Sequence, residues 1–138
     1  MKEDFASAAG RHLEDARILH TQSRHDNAAY LLGYVVECSL KYIVQKSGLS
    51  PQVYGHRLDL LSEQVMTLAF LLSPVARRYH VVESPALRDI LCHWKSQLRY
   101  CETGSVDGKS VDRWLGAASD IYSGTVVQAI LDGMEVRR

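Results

Sequence analysis

Cysteine is scarce and badly spaced for any structural role. Cys38, Cys92 and Cys101 are odd in number and no CxxC pair occurs, which argues against a disulfide framework or a zinc site and fits a reducing cytoplasm. Net charge is absent as well. Sixteen basic residues balance sixteen acidic ones, so the chain lacks the overall electrostatic signature of a nucleic-acid or membrane binder. No run approaches the roughly 20 apolar residues that span a bilayer, because Glu37 and Lys41 break the longest one. The first residues, MKEDFASAAGRHLED, carry charge where a signal peptide needs an apolar core. A Gly-rich phosphate loop and an HExxH pair are missing, and the only Cys–His neighbours are Cys92-His93. Strand-like alternation and internal repeats are missing too. The expectation is one soluble, cytoplasmic, all-helical domain over 1–138, with no membrane association, no metal and no cofactor.

What the sequence does contain is Asp26 to Lys46, DNAAYLLGYVVECSLKYIVQK. No charge interrupts Ala28 to Val36, and Leu40, Ile43 and Val44 extend the apolar surface. A helix that is apolar nearly all round belongs at the centre of a bundle. At 100° per residue, Asp26, Tyr30, Tyr34, Glu37, Lys41 and Gln45 fall on one narrow stripe of polar groups. Glu37 and Lys41 have the i, i+4 order that favours an ion pair. The central helix therefore carries one polar seam, either an exposed edge or a groove.

Around it, a first helix is expected over Glu3–Gln22, with Phe5, Ala8, Ala9, Ala16 and Leu19 inward and His12 on the apolar face as a core histidine. The short polar Thr21–His25 makes an antiparallel hairpin with the second helix, which Gly48 ends. All three prolines follow serine, at Ser50-Pro51, Ser73-Pro74 and Ser84-Pro85, the pattern of an N-cap with proline at the first helical position. A third helix is expected over Gly55–Leu72, with Leu58, Leu61, Val65, Leu68 and Leu72 on one side. Short elements follow Pro74 and run from Pro85 towards Tyr100. Glu102–Lys109, ETGSVDGK, reads as a mobile loop. A last helix runs from Ser110 to about Glu135 with Val111, Trp114, Ala118, Ile121 and Thr125 inward. The fold class is an up-and-down all-α bundle of four main helices plus a short extra one.

Three blocks in order resemble a known family. HLEDARILHTQSRHDNAAYLLGYVVECSLKYIV resembles the opening of HEPN domains, Gly55-His56-Arg57-Leu58 with Leu61 is similar to their H-x-L-x-x-L start of the third helix, and Trp94 to Tyr100 is similar to the W-K-x-x-L-R-Y block of small, non-catalytic-looking bacterial members. The likeness runs from about Leu13 to Ile130. It implies a five-helix bundle that dimerises and binds nucleotides or RNA, cuts RNA, or pairs with a minimal nucleotidyltransferase in a toxin–antitoxin module. The ribonuclease branch carries R-x(4–6)-H, which Arg88-Asp89-Ile90-Leu91-Cys92-His93 satisfies. Histidine moves a proton at neutral pH and arginine stabilises phosphate charge. The toxins that a nucleotidyltransferase modifies have tyrosine two residues after the histidine, where this chain has Lys95.

Between Arg77 and Arg99, the five cations Arg77, Arg78, Arg88, Lys95 and Arg99 face only Glu83 and Asp89, a local balance of +3. His80 and His93 add charge when protonated, and Tyr79, Trp94 and Tyr100 interleave rings that stack on bases. For Trp94 the core competes with that role, and Arg99 and Tyr100 serve equally to fasten the chain to the central helix. The favoured reading is a homodimeric nucleotide- or RNA-binding accessory protein that cuts nothing. Its binding residues are Arg77, Arg78, Lys95, Arg99, Tyr100 and Lys41. The alternative is a metal-independent ribonuclease using Arg88 and His93, and a third reading is a structural dimer with the seam as interface.

Overall fold

The computed structural model describes residues 2–70, 74–79 and 84–133. Among them there is no strand, and no helix is long and apolar enough to cross a membrane. Helix α1 is Phe5–Thr21, started by Asp4, whose carboxylate accepts from the Ser7 amide at 3.0 Å. Ala9, Leu13 and Ala16 are its buried line. After the turn at Gln22–Arg24, α2 runs His25–Lys46 and packs along α1 as the expected hairpin. All residues from Val35 to Val44 are buried, with α1, α3 and the C-terminal helix all packed on α2. Gly48 ends α2 at φ +86°. Its amide and that of Leu49 return to the carbonyls of Gln45 and Val44, the Schellman arrangement in which a left-handed glycine satisfies orphan carbonyls.

Helix α3 spans Leu58–Phe70 and starts three residues later than its apolar pattern suggests. A 3-10 turn at Pro51–Tyr54 comes first, and Gly55 then takes φ +52°, which an α-helix cannot accommodate. Leu58, Leu61 and Val65 are buried as expected. Leu72, Ser73, His80 and Glu135 lie outside the described residues, as does the side chain of Leu68. Short α4 is Pro74–Arg78, and α5 is Pro85–His93, where Ser84 caps the Leu87 amide and Pro85 opens the helix.

The expected run from Pro85 to Tyr100 is broken. The chain turns extended at Trp94 and Lys95 and resumes as a 3-10 turn over Ser96–Tyr100. The cause lies in α2. Trp94 is 3 % exposed, its indole N–H donates to the Tyr30 carbonyl at 3.1 Å, and its ring lies flat on Gly33. A Cβ at Gly33 would fall inside that indole. The glycine is thus a notch in an otherwise bulky helix, and it sets where the chain after α5 crosses α2.

Glu102–Asp107 is fastened rather than free. Asp26 accepts from the amides of Gly104 at 2.7 Å and Val106 at 2.9 Å, and these bonds hold its carboxyl below the usual carboxylate range. Asp107 then caps α6, Gly108–Tyr122, through the Ser110 amide. Val111, Trp114, Ala118, Ile121 and Thr125 are all buried, as their spacing predicts. The helix widens to a π turn over Ser123–Val127, with the Thr125 hydroxyl on the Ile121 carbonyl at 2.7 Å, and closes as α7, Gln128–Leu131. The result is an all-α bundle of four long helices, α1, α2, α3 and α6, with short ones between.

Two glycines test this packing in opposite directions. Gly33→Ala should lower stability by about 1–3 kcal/mol or more through overpacking against Trp94. Gly116→Ala, in the middle of α6 with open space around it, should raise it by roughly 0.5–1 kcal/mol through helix propensity. Urea unfolding midpoints of both variants measure this; an unchanged midpoint for Gly33→Ala would contradict the notch.

Candidate functional site

The polar stripe on α2 is used along its length. Its upper end is Asp26 on the loop before α6. Next, the hydroxyls of Tyr30 and Tyr34 meet at 3.1 Å, and Arg99 donates to the Tyr30 hydroxyl at 3.2 Å. Lower down, Glu37 is buried to 5 % side-chain exposure, with His56 Nδ1 at 2.7 Å on one oxygen and Lys41 Nζ at 3.4 Å on the other. A buried carboxylate requires such partners. Gln45 at the far end is exposed.

Aromatic rings wall this seam. Tyr34 stands edge-on to Tyr30, His56 and Trp94, with centroids 5.0, 5.5 and 5.1 Å away, and tilted to His12 at 5.9 Å. Burial and the Tyr30 hydroxyl push the Tyr34 phenol well up, so it stays neutral. Burial, then Arg11, push the half-buried His12 down. Behind the seam, burial holds the Cys38 thiol up at about 12 and therefore unreactive.

Where the seam meets α3 and α5 there is a groove of about 870 Å³. His56, Asp59, Glu63, Arg88, Cys92 and Lys95 line it, with Trp94 at its floor. Arg57, also in the lining, is engaged by Asp59 through two bonds of 3.0 and 2.8 Å. The groove brings two of the expected residues together, Arg88 and Lys95, and adds His56.

Arg88 and His93 do not share a face. Five positions apart on a helix they lie about 140° round its axis, and His93 turns away from the groove to Asp89, Nδ1 to carboxylate 2.9 Å, while remaining 70 % exposed. Asp89 also accepts from the Trp114 indole at 2.8 Å and faces Arg113 at 3.6 Å. Lys41 is buried on Glu37, which removes it from any surface offered to a ligand. Arg78 is paired with Asp132 at 2.8 Å; Arg78 and the Tyr79 hydroxyl together hold the Asp132 carboxyl down to about 2. Arg77 is exposed on α4. Arg99 lies over the ring of Tyr100 at 5.0 Å, and Tyr100 is 77 % exposed. The structure thus gives Trp94 and Arg99 fastening roles and leaves Tyr100 open.

Two pairings have no sequence signal. His56 and Glu37 are 19 residues apart, and nothing in their spacing joins them. His20 and His25 meet Nδ1 to Nδ1 at 3.3 Å at the α1–α2 turn, with Asp112 on the other nitrogen of His20. Among the described residues no group of three or more His, Cys, Asp or Glu side chains is arranged to hold a metal ion.

The buried pair makes a direct prediction. Glu37→Ala leaves Lys41 buried without a counter-charge and should cost about 3–5 kcal/mol, whereas Glu37→Met with Lys41→Met should recover most of that loss. Chemical denaturation decides; a double variant as unstable as the single one would show that the charges themselves are needed. The chain matches no family model, no curated protein and no solved structure.

Proposed function

We propose that this chain is a HEPN-like accessory protein that binds nucleotide or RNA without cutting it. It acts as a homodimer and as one component of a toxin–antitoxin or nucleotidyltransferase-associated module. The observation that carries the reading is the groove between α3 and α5, where Arg88 and Lys95 stand beside His56 on a floor of Trp94. Cations at a concave surface supply the backbone attraction, which is electrostatic and independent of sequence. Tyr100, exposed and backed by Arg99 in the turn that follows Lys95, supplies a face for a base. Exposed Leu60 on α3 supplies apolar surface for a second copy.

Anisotropy of a labelled single-stranded RNA tests the reading. Binding should weaken steeply between about 50 and 200 mM salt, and Lys95→Ala should reduce the salt slope by about one. Tyr100→Ala should cost roughly 1–3 kcal/mol of binding. The same samples should scatter light as two chains of 15.5 kDa each. Absence of salt-dependent binding, or an unaffected Lys95→Ala, would contradict the groove.

One observation favours the ribonuclease as a second reading. Asp89 holds Nδ1 of His93 and leaves Nε2 without a partner among the described residues, the orientation of a general base. Metal-free cleavage by wild type, lost in His93→Ala by roughly 100- to 10,000-fold, would favour it over the accessory role.

A further inference from the structure

The histidine inside the groove is His56, and its chemistry is set from behind by Glu37. We infer that His56 is a protonation-dependent phosphate contact. The groove then holds the phosphodiester backbone of single-stranded RNA more tightly when that ring is protonated than when it is neutral. This rests on the proposal that the groove between α3 and α5 takes a nucleic-acid phosphate.

The tautomer carries the inference. A carboxylate only accepts hydrogen bonds, so with Glu37 at 2.7 Å the Nδ1 of His56 must be the donor. In the neutral ring the single hydrogen is then on Nδ1, and Nε2 presents a lone pair. A lone pair repels a phosphate oxygen. When the ring is protonated, Nε2 gains a hydrogen and the ring a charge, and the same atom becomes a charge-assisted donor. A histidine free to change tautomer could donate from Nε2 in either state; Glu37 removes that freedom. Lys41 fixes Glu37 in turn, and Tyr34, edge-on to the imidazole at 84°, fixes the ring plane. The His56 side chain is nonetheless 53 % exposed and lines the groove, so the ring is anchored at one nitrogen and accessible at the other.

The surrounding charges make this one proton count. From α2 the ring faces Tyr34 and Glu37, with Lys41 behind. Its own turn contributes Arg57, tied to Asp59 of α3. Glu63 of α3, Arg88 and Cys92 of α5, and Lys95 also line the groove. The Glu37–Lys41 and Arg57–Asp59 pairs are each neutral. Protonating His56 adds one positive charge to this lining.

Calorimetry with a short uridine oligonucleotide lacking terminal phosphates isolates the protein's contribution, because its diesters do not titrate in the histidine range. Wild type should bind about tenfold more tightly near pH 6 than near pH 8. His56→Asn keeps a donor for Glu37 but cannot titrate, so it should collapse that ratio to below about twofold. Binding near neutral pH should also take up protons, seen as a dependence of the heat on buffer, and the uptake needs no variant if His56→Asn fails to fold. Binding by wild type with no proton uptake, or an undiminished ratio in His56→Asn, overturns this inference and leaves the groove intact as a binding site. No binding at either pH overturns the groove and this inference together.

Discussion

A carboxylate buried in the middle of the central helix is the constraint on which the rest of this structure depends. Glu37 sits at 5 % exposure among apolar neighbours, and an ionised group there is tolerated only when its oxygens are occupied. Lys41 occupies one from the same helix. The other requires a group from elsewhere in the chain, and His56 is delivered by the turn that precedes α3. Together with the left-handed Gly55, that requirement sets how α3 begins and therefore how it lies on α2. It also opens the seam, because His56 reaches Glu37 from the solvent side and keeps half of its surface exposed.

The second constraint is steric. Gly33 is the one notch in α2 between bulky Leu32 and Tyr34, and Trp94 fills it while donating to the Tyr30 carbonyl. Filling the notch ends α5 at His93 and makes the chain extended through Trp94 and Lys95. Lys95 therefore enters the groove next to Arg88, and Arg99 reaches Tyr30. Packing of one tryptophan thus arranges cations that the sequence spreads over twelve positions.

Features set by local chemistry were legible in the sequence. The all-round apolar character of α2, its polar stripe, the Glu37–Lys41 spacing, the Ser84-Pro85 start and the inner face of α6 all follow from periodicity and capping within one element. What depended on contacts between elements was not. The break at Trp94 needs Gly33, sixty-one positions earlier; the fastening of Glu102–Asp107 needs Asp26; the delayed start of α3 needs a left-handed Gly55. The site divides in the same way. Arg88 and Lys95 were visible as charges, but their meeting with His56 was not, and the Glu37–Lys41 spacing carried no sign that Lys41 is buried away from any ligand surface.

Amide chemical shifts map the central claim most directly, that the seam and notch on α2 exist to build a ligand groove between α3 and α5. Titrating isotope-labelled protein with a short single-stranded RNA should perturb residues 56–63 and 88–97, leaving the outer faces of α1 and α6 unchanged. Perturbations confined to α1, to the α1–α2 turn or to α6, or none at all, would contradict it.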